Sequence, residues 1–232
     1  MTDIKTRLRV IEDRVGEAAS RSGRAASEVS ILPITKGHPA SILEAVAEIG
    51  MTDIGENRVR EAQAKQQELG KLGLSWHMVG HLQRNKVSSA LPLFDMFESV
   101  DSVRLARRLS TEASASGQSE VRVLAQVNTS GEAAKGGFTE ETVRDELSEI
   151  VELPGLAVVG MMTMAPWTDD TSVLRGTFRS ARALFDRCAA AVDGFRPEVL
   201  SMGMSNDFEI AIEEGSTQVR LGTALLGERR KR

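Results

Sequence analysis

A chain of 232 residues is long enough for one α/β barrel with a large buried core. Its 41% hydrophobic and 27% charged residues are ordinary for a globular protein and exclude a disordered, collagen-like or disulfide-stapled chain. The formal net charge of −4 disfavours general nucleic-acid binding, since proteins that wrap nucleic acid are usually basic.

The sequence also indicates a reducing, aqueous compartment. Cys188 is the single cysteine, so it has no intramolecular disulfide partner, and no Cys/His cluster has metal-ligand spacing. The N-terminal residues lack the apolar region of a signal peptide. The longest apolar-rich stretch, around Leu156–Pro166, is shorter than the roughly 20 residues that span a bilayer. We therefore expect a cytoplasmic protein with no bound metal and no membrane attachment.

The apolar pattern predicts an N-terminal helix followed by alternating strands and helices. One face of the first helix carries apolar residues at steps of three and four, namely Ile4, Leu8, Ile11 and Val15. The predicted strands are Ser30–Lys36, Thr52–Glu56, Ser75–Gly80, Met96–Val100, Val121–Asn128, Leu156–Thr163, Glu198–Met202 and Gln218–Gly222. The predicted helices between them are Pro39–Ile49, Arg58–Leu69, Asn85–Leu91, Val103–Ser114, Glu140–Val151, Ser172–Val192 and Asp207–Glu214.

Eight strand-then-helix units with short connections predict a single (β/α)8 TIM-type barrel. The strands are apolar on both faces, as parallel strands buried on both sides are. A doubly wound open sheet is the alternative, but no GxGxxG motif follows the first strand to support a dinucleotide site. The predicted domain spans residues 1–232, and the helix of residues 1–22 packs on the barrel.

Active sites of such barrels lie at the carboxyl ends of the strands, so the polar residues there are the candidates for chemistry. We expect them to share one face of the barrel. They are Lys36, Glu56, Asn57, His77, His81, Asp101, Asn128, Thr163, Ser201, Ser205, Gly222 and Thr223. Strand ends are also polar simply because they meet water, so the shared face carries more weight than any one residue.

Lys36 is the most informative single residue, because it ends a strongly apolar strand. Partial desolvation lowers the pKa of a lysine, and a neutral amine is what a Schiff base to a carbonyl requires. A solvated or ion-paired lysine is the alternative.

A second signal comes from the segments at 200–207 (LSMGMSND) and 220–223 (RLGT), which follow or end the last two strands. Loops at this place in a barrel commonly bind phosphate, and hydroxyl and backbone N–H groups favour an anion. The groups are offered by Ser201, Gly203, Ser205, Gly222 and Thr223. Ordinary helix capping is the alternative.

Arg220 points to the same side of its strand as Gly222, where it could face a ring nitrogen or form a structural salt bridge.

His77 and His81 do not form a convincing metal pair, because they straddle Gly80 and a turn and no third ligand has suitable spacing. Packing is the simpler interpretation, and contact with a bound ligand competes for His77. Lys135 and the basic tail Arg229–Arg232 are predicted to be solvated.

Six motifs then occur in order along the chain. They are TK at 35–36, GEN at 55–57, WHMVGHLQRNK at 76–86, VNTSGEAAKGGF at 127–138, GMMTMAP at 160–166 and LSMGMSNDFEIAIEEGSTQVRLGTALLGER at 200–229. Together they resemble the YggS/PROSC family of pyridoxal 5′-phosphate (PLP) homeostasis proteins, from about the first strand to the tail.

The resemblance implies a fold similar to the alanine racemase barrel domain and a role in vitamin B6 homeostasis. It implies that Lys36 holds PLP as a Schiff base and that Arg220 faces the pyridine nitrogen, with Asn57 and His77 near the ring. It also implies that the phosphate lies on Ser201, Gly222 and Thr223 and on the backbone near Met202, Gly203 and Ser205.

Two departures from the family pattern alter the rim near Lys36. Many members read GENYVQE where this chain reads GENRVRE, so that Arg58 replaces an aromatic residue. Many read SKTKP where this chain reads TKGHP, with Gly37 and His38. The approach to Lys36 is therefore expected to differ.

Chemistry favours a carrier over an enzyme. Arginine stays protonated, so Arg220 would only donate to the ring nitrogen and leave PLP a weak electron sink. The chain contains no tyrosine to act as the second base of a racemase. We therefore expect a monomer that buffers PLP or delivers it to PLP-requiring apoenzymes. The alternatives are a PLP-dependent amino-acid racemase or lyase of low activity, and a cofactor-free aldolase using Lys36.

Overall fold

The computed structural model describes residues 4–118, 120–132 and 136–228. Its strands are β1 Ser30–Pro33, β2 Asp53–Glu56, β3 Ser75–Met78, β4 Met96–Val100, β5 Val121–Gln126, β6 Leu156–Met162, β7 Val199–Met204 and β8 Gln218–Leu221. Its α-helices are α1 Ile4–Arg21, α2 Ile42–Glu48, α3 Val59–Leu69, α4 Val87–Ala90, α5 Val103–Ser116, α6 Val143–Val151, α7 Thr171–Ala191, α8 Phe208–Glu213 and α9 Thr223–Leu226. Two short 3₁₀ helices span Ala26–Glu28 and Arg84–Lys86.

The strands form one parallel sheet that closes on itself. Their order is β1-β8-β7-β6-β5-β4-β3-β2, so each strand after β2 pairs with the one before it. Strands β1 and β2, at the two ends of this order, meet through a parallel bridge between Ile34 and Gly55. The Thr35 N–H also donates to the Gly55 carbonyl at 3.0 Å. The (β/α)8 barrel predicted from the sequence is confirmed, and the doubly wound open sheet is wrong.

Apolar side chains fill the space on both sides of the strands. Val123 and Ala125 face outward into the large core shared with the helices, whereas Leu124 between them faces inward. The inward cluster combines Leu124 with Met96, Ala157, Val159 and Met162. The barrel interior is therefore a packed core and not a pore.

Helix ends follow from ordinary capping chemistry. The Ser102 hydroxyl accepts from the Leu105 N–H at 3.3 Å at the start of α5, and Gly117 ends that helix in a left-handed conformation. Helix α1 packs on α8 and α9, where Arg14 pairs with Glu209 at 3.1 Å. None of the described helices is long and apolar enough to cross a membrane.

The element boundaries differ from prediction mainly at the carboxyl ends of the strands. Strand β1 ends at Pro33, so Lys36 lies in a turn beyond it, and β7 extends to Met204. Helix α9 was not predicted, because its four residues are too few to show helical periodicity.

Candidate functional site

The carboxyl end of β1 places Lys36 beside the loop that follows β8. Lys36 is half-buried and lies two residues after Ile34. The Ile34 N–H donates to the Leu221 carbonyl at 2.9 Å, and a Cβ on Gly222 would lie 3.5 Å from the Ile34 carbonyl oxygen. Lys36 and the loop beginning at Gly222 are therefore neighbours at the barrel mouth.

The loops after β7 and β8 are joined to each other. The Ser205 hydroxyl accepts from the Ala224 N–H in the first turn of α9 at 3.3 Å. Gly203 has a φ of 96°, and a Cβ there would lie 2.6 Å from the Ala211 Cβ, so glycine lets this loop pack on α8. Ser205, Gly222 and the exposed Thr223 thus lie together at one edge of the mouth. The side chain of Met202 instead lies in the outer core.

Arg220 is fixed inside the barrel just below that edge. Its Nη1 donates to the Ser201 carbonyl at 2.8 Å and to the Ser201 hydroxyl at 2.7 Å. Its Nη2 donates to the Thr163 carbonyl at 2.8 Å. Burial lowers the pKa of Arg220 from its ordinary value, and the charges of Glu98 and Asp207 oppose that effect.

Below Arg220 lies a network of polar side chains, all of them buried except the partly exposed Asp53. We call it the inner cluster; it comprises Asp53, His77, Glu98, Ser201, Gln218 and Arg220. Glu98 Oε2 accepts from the Ser201 hydroxyl at 2.7 Å, and its Oε1 accepts from Gln218 Nε2 at 2.8 Å. His77 places Nδ1 2.7 Å from Glu98 Oε1 and Nε2 3.2 Å from Asp53 Oδ1.

The charges of the inner cluster stabilise one another. Burial would lower the pKa of His77, but hydrogen bonds to Asp53 and Glu98 raise it to about 9, so both ring nitrogens carry protons at neutral pH. The hydrogen bond from His77 lowers the pKa of Asp53 to about 2. Burial acts to raise the pKa of Glu98, and the hydrogen bond and charge of His77 outweigh it, so the pKa is lowered.

The two histidines occupy different environments. Both ring nitrogens of His77 are engaged within the inner cluster, whereas His81 is exposed at the rim with Nδ1 2.9 Å from Asp101 Oδ2. Asn57 is half-buried at the end of β2, and a Cβ on Gly80 would overlap its backbone. Asn57 therefore lies at the mouth, and His77 lies inside the barrel.

Several strand-end residues serve the loops of the scaffold. The Thr163 hydroxyl donates to the Val127 carbonyl at 2.9 Å, and Asn128 Oδ1 accepts from the Ser130 N–H at 3.2 Å and from its hydroxyl at 2.9 Å. Lys135 and the tail Arg229–Arg232 lie outside the described residues.

The expectation that Glu56 shares the mouth is wrong. Gly55 faces inward on β2, so the next side chain points outward toward α3. Glu56 Oε1 there accepts from the Thr35 hydroxyl and from Lys65 Nζ, each at 2.5 Å.

Sequence reasoning missed Glu98, Gln218 and Lys65. Glu98 had a usable signal, since it is the one charged residue in the strand MFESV at 96–100. Lys65 had another, because it follows Val59 and Ala62 at three-residue steps along the buried face of α3.

Comparison with known proteins places this chain in a family. The alanine racemase N-terminal domain profile matches residues 11–230. The pyridoxal phosphate homeostasis protein of Aquifex aeolicus is 37% identical over 224 residues, which cover 97% of each chain. This chain belongs to the pyridoxal phosphate homeostasis protein family. The resemblance read from the six motifs is confirmed.

Solved structures show the same architecture. The PipY protein of Synechococcus elongatus, with PLP bound, is 34% identical with a TM-score of 0.81, and the match covers 92% of this chain and 100% of that one. An alanine racemase from Clostridium difficile is 14% identical with a TM-score of 0.80. All of this chain matches 58% of that enzyme, which shows the shared barrel fold.

Proposed function

We propose that this protein binds PLP at the mouth of its barrel, holds it covalently on Lys36 Nζ, and buffers it or delivers it to PLP-requiring enzymes. One observation carries the proposal. The neighbouring strands β7, β8 and β1 bring a hydroxyl-lined and N–H-lined edge, a buried guanidinium and a primary amine to one end of the barrel. PLP presents a phosphate, a pyridine nitrogen and an aldehyde to be met by such groups.

The loops after β7 and β8 fit the phosphate. Ser205 offers a hydroxyl, and the chain at Gly203, Gly222 and Thr223 offers backbone N–H groups beside it. The hydroxyl of Ser201 would have to leave Glu98 and Arg220 to reach a phosphate. We therefore assign the hydroxyl contact to Ser205, and we give Ser201 the task of orienting Arg220.

Arg220 fits a pyridine nitrogen as a hydrogen-bond donor. Its two terminal nitrogens are held by the carbonyls of Ser201 and Thr163, so the guanidinium has a fixed direction. Arginine donates only, so a ring nitrogen opposite it stays unprotonated. Asn57 borders the same mouth, and His77 supports it from below through Glu98.

Lys36 supplies the amine. Bound PLP would supply an aldehyde, and Lys36 Nζ is the primary amine that would form a carbon–nitrogen double bond with it, with release of one water. The strand before Lys36 brings this amine to the barrel mouth, where the residue is half-buried. The chain has no tyrosine to serve as a second base, which supports holding and delivery over racemisation.

The test compares the wild-type protein with Lys36→Ala. We expect PLP to give the wild type a new visible absorption band, and borohydride reduction to leave a stable adduct on Lys36 that mass spectrometry can locate. Lys36→Ala should lose both, while Lys71→Ala, at an exposed lysine paired with Asp95, should keep both. A missing band in the wild type, or an equal adduct in Lys36→Ala, would refute the proposal.

A further inference from the structure

A second buried charge network lies behind Lys36, between β1, β2 and α3. We call it the outer cluster; it comprises Thr35, Glu56, Glu61 and Lys65. Lys65 Nζ donates to the Thr35 carbonyl at 2.7 Å and to Glu56 Oε1 at 2.5 Å, and it lies 3.3 Å from Glu61 Oε1. Lys65 is only 4% exposed and Glu56 is fully buried, so these bonds are shielded from water.

The outer cluster holds the chain on both sides of Lys36. On the near side, the Thr35 hydroxyl donates to Glu56 Oε1 at 2.5 Å and its N–H donates to the Gly55 carbonyl at 3.0 Å. On the far side, the Gly37 N–H donates to Glu61 Oε1. Because Lys65 contacts both carboxylates, the two holds are joined through one ammonium group.

The arrangement does more than the fold requires. Burying Lys65 with the carboxylate of Glu56 costs desolvation free energy, which apolar residues of similar size would avoid, and the partly exposed Glu61 adds a second carboxylate. What the cluster provides is a fixed loop: the backbone of three consecutive residues, with Lys36 at their centre, is held in one direction at the barrel mouth. A long lysine side chain needs such an anchor to meet a small aldehyde, because its own rotamer freedom is large.

We propose that Glu61, through Gly37 and together with Lys65 and Glu56, is a positioning residue that fixes the backbone at Lys36 so that Nζ meets the aldehyde of bound PLP. This inference rests on the proposed function. Glu61 acts in this scheme through the peptide that follows Lys36, accepting a hydrogen bond from its Gly37 N–H.

The test uses Glu61→Ala, which removes the acceptor for the Gly37 N–H, and Glu61→Gln, which keeps an oxygen in its place. We expect Glu61→Ala to exchange the Gly37 amide hydrogen about tenfold faster in the protein without PLP, since a hydrogen bond to a charged acceptor is lost. Its affinity for PLP should fall about tenfold, and its affinity for pyridoxine 5′-phosphate, which has an alcohol in place of the aldehyde, by less than about twofold. Glu61→Gln should restore both readouts to within about twofold of wild type.

The matched control is Glu68→Ala, which removes an exposed carboxylate from the same helix and should behave as wild type. Unchanged Gly37 exchange in Glu61→Ala would overturn the inference, and so would an equal loss of both ligands. If the wild type forms the Lys36 adduct and Glu61→Ala forms it equally well, the inference alone fails. If the wild type forms no adduct, the proposed function fails and the inference falls with it.

Discussion

The inner and outer clusters bury charge in two different ways. The inner cluster pairs two cations, His77 and Arg220, with two carboxylates, and both oxygens of Glu98 are hydrogen-bonded. The outer cluster sets one ammonium, that of Lys65, against two carboxylates. Among the buried side-chain atoms that the structure describes, Glu56 Oε2 has no hydrogen-bond partner.

The difference shows which part of the molecule each cluster serves. The inner cluster joins β2, β3, β4, β7 and β8 across the barrel, so it supports the scaffold beneath Arg220. The outer cluster joins the loop after β1, strand β2 and the first turns of α3, so it supports a loop. A balanced, fully bonded network is expected to carry more of the stability than an unbalanced one.

The largest expected effect comes from Glu98→Ala. Removing this carboxylate leaves His77 and Gln218 without their central partner and leaves the charge of Arg220 less compensated. Losing one partner of a buried charge network typically costs about 3–5 kcal/mol. Urea unfolding of the variant and the wild type at pH 7 measures this loss.

Glu120→Ala is the matched control for that change, because Glu120 pairs with Arg196 on the exposed surface. Exposed ion pairs contribute little, so its midpoint of unfolding should stay near that of the wild type. Equal losses in the two variants would mean that the inner cluster does not hold the barrel together.

A smaller, pH-dependent effect is expected from His77→Asn. The folded pKa of His77 is raised from 6.5 to about 9, so its stabilisation is fully present below pH 6.5 and is lost as the pH rises through 9. The gap in unfolding free energy between wild type and variant should therefore shrink by about 3 kcal/mol from pH 6 to pH 9.5. A gap in unfolding free energy for His77→Asn that is independent of pH would contradict the assignment.

Much of the architecture was predictable from the sequence, because local apolar patterns and turn residues act over short distances. The order of strands and helices followed from these patterns, and so did the place of Lys36 at the mouth. The position of Glu56 was not predictable by the rule that polar residues at strand ends share one face. A one-residue step along a strand reverses the direction of the side chain, so Glu56 points away from the mouth although it ends β2. The end of β1 also differs from prediction, at Pro33 rather than Lys36.

The partners of buried polar groups were less predictable than their positions. Ser201 was expected to meet a phosphate, but its hydroxyl donates to Glu98, which lies 103 residues earlier in the chain. Such a contact depends on the curvature of the closed barrel and leaves no local pattern. Only the presence of a charge in an apolar strand marked Glu98 as a residue that needs partners.

The smallest expected effect belongs to the outer cluster and comes from Glu56→Gln. Burial raises the pKa of Glu56 above its ordinary value of 4.5, although the charge of Lys65 opposes this shift. The contribution of the protonated acid to stability is therefore fully present below pH 4.5 and is lost as the pH rises through the pKa of the folded state. Glutamine does not titrate and keeps an oxygen for Lys65 and Thr35, so the variant should gain stability relative to wild type between pH 4 and pH 8. Urea unfolding at the two pH values tests this, with the exposed Glu48→Gln as control. If the free energy of unfolding of Glu56→Gln falls relative to wild type as the pH rises, Lys65 fully compensates the charge of Glu56. The outer cluster would then be as well balanced in charge as the inner one.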